Sequence, residues 1–422
     1  MSKKNILVFP CGSEVALEIY KSLEHSIHFN MIGGNSIDDH GKFVFEQYIG
    51  NIPFVTDDLF IESLKKIVVE YNIDAIYPAM DLALHKLKMN EEELGCKVIS
   101  SDIDTTSICL SKSKTYEKFK SLIQVPEVFK TIESIKTYPV FLKPDVGYGS
   151  RGVLKAYNSN EVHNQIVKHS STLILEYLPG KEFTIDCFTN FKGELLFAGA
   201  RERSRIANGI SVHTKTMALD ERFHSIALII NTTLELNGAW FFQLKENKQG
   251  ELVLLEIASR LGGSSAVYRA KGINFAALSL FNAFELPVSI LENDFEVEMD
   301  RALNNIFKIS IEFNHVYVDL DDTIIVANKI NYNLVATLYK FINEGKQIHL
   351  ITKHQYNLTE TLVKYKIDKL FDSIIHLEKE DNKFEYIKHT DAIFIDDSFQ
   401  ERKDVLDKLK IQVFSVEQVL VL

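Results

Sequence analysis

Two acidic clusters and a glycine-rich loop hold residue types in this chain that can do chemistry. VYVDLDDTI (316–324) ends an apolar run with Asp319, Asp321 and Asp322. Two positions apart on an extended chain, Asp319 and Asp321 point the same way. AIFIDDSF (392–399) ends a second apolar run with Asp396 and Asp397. As strands of one parallel sheet, the two runs would gather these acids at its carboxyl end, where such sheets bind ligands. Like charges that close need a cation or shared protons. Capping of the following helices explains one cluster but not easily both.

The loop lies in FLKPDVGYGSRGV (141–153), where Gly147, Gly149 and Gly152 match G-x-G-x-x-G. That pattern means little alone, because a dinucleotide loop opens a helix and a P-loop ends in Gly-Lys-Ser/Thr. Here an apolar run enters and VLKAY leaves before a helical NEVHNQIVKH begins. Strand–loop–strand describes a hairpin lid whose bare backbone can lie against phosphate oxygens, with Lys143 adding a point charge. A flexible surface hairpin with an exposed lysine is the plainer reading of the same residues.

A possible metal pair stands in GAWFFQLKENKQGELVLLEIASR (238–260). A symmetric turn at Gln249–Gly250 sets Lys248 opposite Glu251 and, five residues up each strand, Gln243 opposite Glu256. Directly opposed residues have Cβ atoms about 5 Å apart, close enough for two oxygens to share a cation. Magnesium takes such oxygen ligands together with substrate phosphates. An unpaired Glu256 among apolar neighbours would be costly to bury, and a solvated strand face is the alternative.

The elements that must position these residues are legible as changes of rhythm. At roughly 150 residues per domain, 422 residues predict about three domains. Residues 1–110 alternate short apolar runs (ILVF, FNMIGG, DAIYPA) with helical patterns, the mark of a parallel, doubly wound sheet. Gly12, after the first run, is a tight turn or a phosphate loop. From 111 to 308 helices mix with hairpin-like pairs. From 315 to 422 a fresh α/β alternation begins with HVYVDL, LVATLYKFINEG, IHLIT and TETLVKYKI.

Composition limits the partners. Apolar residues at 46% and charged residues at 25% describe an ordinary globular chain. With 47 basic against 58 acidic residues and no Lys/Arg block, nucleic-acid binding is not expected. The four cysteines include no C-x-x-C pair, which argues against a thiolate zinc site and fits a reducing cytosol. The apolar run after Lys3 and Lys4 is too short for a leader. INFAALSLFNAFELPVSI (273–290), with Asn274, Asn282, Glu285 and Pro287, reads as a core helix rather than a membrane span. A soluble, cytoplasmic protein is the expectation.

Taken together, residues 1–308 resemble an ATP-grasp enzyme, most like the carbamoyl-phosphate-synthase-like branch of carboxylate ligases. SKSKTYEKF (111–119) looks like the lysine-bearing segment before the nucleotide domain, with Lys112 the best match and Lys114 the fallback. The lid loop contributes Lys143, Gly147, Gly149, Ser150, Arg151 and Gly152. LILEYLPGKEFTIDCF (173–188) resembles the hinge, which implies Glu176, Tyr177 and Leu178 at the adenine and Glu182 at the ribose. RERSR (201–205), with Arg203, resembles the basic strand that meets the acyl phosphate or substrate. Gln243, Glu256 and Arg260 match the magnesium and transition-state positions of the Q…E-x-N-x-R pattern, with Ala258 in place of its Asn.

Residues 315–422 resemble the haloacid dehalogenase-like (HAD) phosphatases. The resemblance implies Asp319 as nucleophile and Asp321 as general acid/base, with Thr352 holding phosphate. Lys383 is the motif-three lysine, with Lys379 the fallback, and Asp319, Asp321, Asp396 and Asp397 are the metal ligands. Little chain remains for a cap domain, which leaves such a site open to a large phosphate ester.

The resemblances imply a fold in three parts: an N-terminal Rossmann-like domain (1–110), an α+β ATP-grasp domain (111–308) and a doubly wound HAD-like α/β domain (315–422). They imply a bifunctional enzyme with ATP and Mg2+, or Mn2+ in its place, acting on a small carboxylate and an amine, either of which can carry phosphate. The ligase half allows a homodimer. Alternative expectations are a ligase with a housekeeping or regulatory HAD domain, and a catalytically weakened nucleotide-binding module.

Overall fold

A computed structural model describes residues 3–147, 152–169, 171–207, 210–302 and 310–422. Its contacts divide the chain into two compact units, Met1–Leu303 and Asn304–Leu422.

The first unit opens with a parallel five-stranded sheet of β1 (Lys4–Phe9), β2 (Phe29–Gly34), β3 (Gln47–Ile49), β4 (Ala75–Pro78) and β5 (Lys97–Val98), in the order β3-β2-β1-β4-β5. β1 is apolar throughout because both its faces are covered. Ile6 and Val8 join one core cluster, Leu7 and Phe9 another. Ser13 caps the next helix, Glu14–Leu23, its Oγ accepting from Ala16 N at 3.1 Å. Gly12 is a turn residue: a Cβ there would stand 1.9 Å from Asp39 Oδ2, and a carboxylate in that place repels phosphate.

A four-stranded antiparallel sheet follows, of β6 (Val128–Phe129), β7 (Val140–Pro144), β8 (Leu154–Ala156) and β9 (Thr172–Glu176), in the order β6-β9-β7-β8. The glycine loop joins β7 to β8. Gly149, Ser150 and Arg151 lie outside the described residues.

The largest sheet is antiparallel and holds β10 (Glu182–Thr189), β11 (Leu195–Ala207), β12 (Ile210–Met217), β13 (Gly238–Glu246), β14 (Leu252–Ala258) and β15 (Glu298–Asp300). Period-two alternation gives it one apolar face, where Phe183, Ile185, Trp240, Phe242, Leu244 and Leu254 form a core with the helix Glu221–Thr233. The opposite face is polar and carries the first candidate site. The expected helix over 273–290 is shorter, Phe275–Ala283. The left-handed backbone of Glu285 (φ 58°) and then Pro287 prevent its continuation.

The second unit repeats the topology of the first sheet. Its strands β16 (His315–Val318), β19 (Gln347–Thr352), β20 (Ser373–His376), β21 (Ala392–Ile395) and β22 (Gln412–Phe414) are parallel, in the order β20-β19-β16-β21-β22. Between Asp321 and the helix Tyr332–Asn343 stands only a small hairpin, β17 (Ile325–Val326) with β18 (Lys329–Ile330). Among the described residues no helix is long and apolar enough to cross a membrane.

Candidate functional site

Four residues cross the polar face of the large sheet in one row. Arg201 pairs with Thr184, Thr184 with Gln243, and Gln243 with Glu256. The turn beneath them is not symmetric about Gln249–Gly250. Asn247 N donates to Glu251 O at 3.0 Å, and the loop between holds Lys248, Gln249 and Gly250, the last at φ 78°. Near the turn Leu244 therefore faces Leu254, and Leu255 is an extra, unpaired residue that restores the Gln243–Glu256 pair. This bulge re-aims the strand. Continued alternation from Leu252 and Leu254 would send Glu256 into the apolar core; after the bulge Ile257 takes that place and Glu256 faces the cavity.

The bulge also frees a carbonyl. Leu255 O accepts from Tyr116 Oη at 2.9 Å and from Lys143 Nζ at 3.2 Å. Burial pushes the Lys143 ammonium down to about 8, while Glu256 pulls it back up and Lys112 drives it further down. Lys112 enters the same space because Asp145, two residues after Lys143, grips the start of the helix Lys112–Phe119. Asp145 accepts from Ser113 N at 2.7 Å and Ser111 Oγ at 2.8 Å, and its carbonyl accepts from Lys112 Nζ at 3.2 Å. Lys114 turns away to Ser107 Oγ at 2.8 Å.

These groups line a cavity of about 450 Å3, within the range of small-molecule sites. Lys112, Lys143, Gly147, Glu182, Arg203, Gln243, Glu256 and Arg260 all contribute to its wall, and Ala258 stands at the position where Asn was expected. Arg203 donates to Glu182 and to Gln243 Oε1 (3.0 Å), and Lys245 reaches Glu182 at 3.3 Å. Arg260 holds Asp81 through two bonds of 2.9 and 2.8 Å. Of the hinge residues only Glu182 lines this wall among the described residues; Glu176, Tyr177 and Leu178 do not. Glu176 Oε1 accepts from Glu127 N at 3.2 Å, Lys155 Nζ stands 3.8 Å from the Tyr177 ring centre, and Leu178 is buried. Gly152 is left-handed at φ 74° and packs toward Pro144.

Four residues here were not singled out in the sequence. Arg201 and Asp186 form a pair almost wholly withdrawn from solvent, with Nε–Oδ2 at 2.6 Å. Asp81, just beyond the carboxyl end of β4, carried a signal of its own, an acid following a parallel strand. Thr184 Oγ1 is buried in the middle of the row without a hydrogen-bond partner among the described residues. An orphaned oxygen there, between Arg201 and Gln243, suits a site that a polar ligand or its water completes. The all-oxygen pair of Gln243 and Glu256 suits Mg2+.

In the second unit, the acids gather at the carboxyl ends of β16 and β21. Oxygens of Asp319, Asp396 and Asp397 lie within 4.8 Å of one another. Lys383 Nζ, buried, donates to Asp319 Oδ1 and Asp396 Oδ2, both at 2.6 Å. Lys379 is exposed. Burial drives the Asp319 carboxyl up from the usual carboxylate range, with Lys383 opposing and the Asp396 charge adding to the rise. Thr323 Oγ1 bonds Asp319 Oδ2 (3.4 Å) and Asp397 Oδ1 (3.2 Å). Three carboxylates with one ammonium, which meets two of them, leave negative charge that a hard divalent cation fits.

Asp321 does not join that cluster, contrary to the expectation that it is a fourth ligand. Its side chain is half exposed, and both its oxygens lie 2.9 Å from His354 Nδ1. A β-strand would have aimed it with Asp319, but β16 ends at Val318 and the chain turns, with Asp322 left-handed at φ 53°. Thr352 is fully buried at the end of β19, its Oγ1 accepting from His354 N at 3.2 Å.

Residues 168–302 match a family model described as ATP-grasp in the biosynthetic pathway with Ter operon. A curated relative, the D-alanine–D-alanine ligase of Thermotoga petrophila, is 26% identical over 132 residues, 29% of this chain. The match spans 44% of that relative, so the chain covers less than half of the curated protein's length. Among solved structures, the biotin carboxylase domain of the Hydrogenobacter thermophilus 2-oxoglutarate carboxylase, in complex with MgADP, ADP and bicarbonate, superposes with a TM-score of 0.58 at 17% identity, covering 70% of this chain and 74% of that one. The L-amino acid ligase of Bacillus licheniformis gives 0.54 at 20%, covering 68% and 76%. These likenesses show an ATP-grasp fold.

Proposed function

We propose that the chain joins a carboxylate to an amine at the expense of ATP, and that its second unit hydrolyses a phosphate ester. The observation that carries the first part is the convergence of Lys112, Lys143, Arg203, Gln243, Glu256 and Arg260 on one cavity. A carboxylate is a poor acyl donor because its leaving group would be oxide. In the reading favoured here, a carboxylate oxygen attacks the γ-phosphorus of ATP and ADP leaves. The amine nitrogen then attacks the acyl carbon, inorganic phosphate departs, and the nitrogen loses a proton to water or a nearby base. Lys143, Arg203 and Arg260 stabilise the charge that develops, and Lys112 adds a cation at the phosphates. Gln243 and Glu256 would hold Mg2+, which neutralises phosphate charge when bound. Adenine is assigned to Glu176, Tyr177 and Leu178, and the ribose to Glu182 once it gives up Lys245.

In the second unit, Asp319 is the proposed nucleophile. Its oxygen attacks the phosphorus of the ester, the alcohol leaves with a proton from Asp321, and Asp321 then takes a proton from the water that releases phosphate from Asp319. Lys383 holds Asp319 in place and Thr352 is assigned to the phosphate. Asp319, Asp396 and Asp397 would hold Mg2+. The small β17–β18 hairpin leaves room for a large ester. Coupling follows if one ligase substrate carries a phosphate that is removed after amide formation.

The test is an ADP-release screen over carboxylates and amines, phosphorylated amines included, with product masses recorded. ADP that forms only when both an acid and an amine are present supports ligation. ADP that never forms, with nucleotide still bound, favours a weakened nucleotide-binding module, the reading to which Ala258 points. The product is then given back to the same chain: release of phosphate from it supports coupling, and release from simple phosphoesters alone overturns it.

A further inference from the structure

The end of β16 opposite Asp319 carries three histidines from distant parts of the chain. His315 begins the strand, His349 lies on its neighbour β19, and His389 stands on the turn before β21. One nitrogen of each ring lies within 4.8 Å of one from each of the others. His315 Nδ1 and His349 Nε2 share a hydrogen bond of 3.0 Å, so a bound ion would take the place of the proton between them.

The remaining nitrogens of His349 and His389 are held from outside. Ser373 Oγ is 2.8 Å from His349 Nδ1, and Tyr317 Oη is 2.7 Å from His389 Nδ1. The Asp391 carboxylate lies 4.0 Å from His315 Nε2. An outer hydroxyl behind an imidazole, as at His349 and His389, is an arrangement that fixes tautomer and ring direction in histidine metal centres.

From this geometry we propose that His315, His349 and His389 form a second metal site, for a divalent transition ion such as Zn2+. Three imidazoles favour borderline ions over Mg2+ or Ca2+, which prefer oxygen. Four residues of strand, about 13 Å at 3.3 Å per residue, separate it from the aspartates. Two rings must part for the ion to enter. His315 and His389 are stacked face to face, 3.5 Å between centres and 8° from parallel, so their lone pairs run side by side. His389, on the turn, is the ring that swings. The bound ion ties β16, β19 and the turn before β21 together, which makes the site a staple for the second unit.

The test uses the untagged full chain, stripped with a chelator and saturated with Mg2+ so that the oxygen sites are filled. Zn2+ is titrated calorimetrically, and Co2+ serves as the visible-spectrum probe. One ion per chain should bind, with the intense absorption of low-coordinate cobalt and a rise in melting temperature. His389→Gln and His315→Gln should each weaken Zn2+ at least tenfold. His389 lies on a turn, so its variant keeps the fold, which far-UV dichroism checks; it decides the matter even if the buried His349→Gln fails to fold. Unchanged Zn2+ affinity in both variants, or no stoichiometric binding by the parent chain, overturns the proposal.

Discussion

The two candidate sites solve opposite electrostatic problems. Among the described residues, the wall of the first cavity carries five cationic side chains, of which Arg201, Arg203 and Arg260 are already bound to Asp186, Glu182 and Asp81. Such a wall keeps long, flexible cations in position while nothing is bound, and leaves Lys112 and Lys143, which rest on carbonyls, to meet an anion. The cluster of the second unit gathers three carboxylates, two of them on the ammonium of Lys383. It is short of positive charge and asks for a cation. An antiparallel sheet face builds the first by ranking side chains in a row; a parallel sheet builds the second by collecting strand ends.

The sharpest way to break this contrast is Asp319→Asn. Loss of the proposed nucleophile should reduce hydrolysis of p-nitrophenyl phosphate to background while ADP formation by the first unit persists. Parallel loss of both rates would mean that the sites do not act separately. Next in size is Arg203→Ala, which should lower the ADP-forming rate by about 10²–10³-fold, the usual loss for one preorganised donor. Unchanged turnover in that variant would remove Arg203 from the charge-stabilising set.

The smallest effect is a proton. Lys143 loses its charge as pH rises through about 8, well below its ordinary value. Bound phosphate restores the charge, so nucleotide binding on the alkaline side of that value must take up a proton and weaken as pH rises. Below it the lysine is already charged and no uptake follows. Calorimetry in two buffers of different ionisation heat reads the difference directly; equal heats at alkaline pH would contradict the assignment.

Much of this arrangement was legible in the sequence, and unevenly so. Apolar runs ending in DLDD and IDD mark strand ends, because a buried parallel strand must be apolar and must stop where charge begins. The pair Gln243–Glu256 was read from a turn symmetry that does not hold. A three-residue loop shifts the register one way and the bulge at Leu255 shifts it back, so two departures cancel. Glu256 among leucines was the sign that alternation had to break somewhere. The contacts of Arg260 with Asp81 and of Arg201 with Asp186 carry no local spacing, nor do the three histidines, drawn from 315, 349 and 389. Only the folded sheet brings them together. Asp321 failed as a cluster ligand because the strand ends one residue before Asp319, a boundary that apolarity alone did not reveal.

The extra residue at 255 also separates two duties of this hairpin. Shortening the chain by that single leucine restores plain alternation, and the carboxylate that follows still meets Gln243 on the wet side. What disappears is the outward carbonyl on which Tyr116 and Lys143 rest. A one-codon deletion would thus produce a chain able to grip a cation yet unable to steer the lysine, an editing route that no side-chain replacement offers.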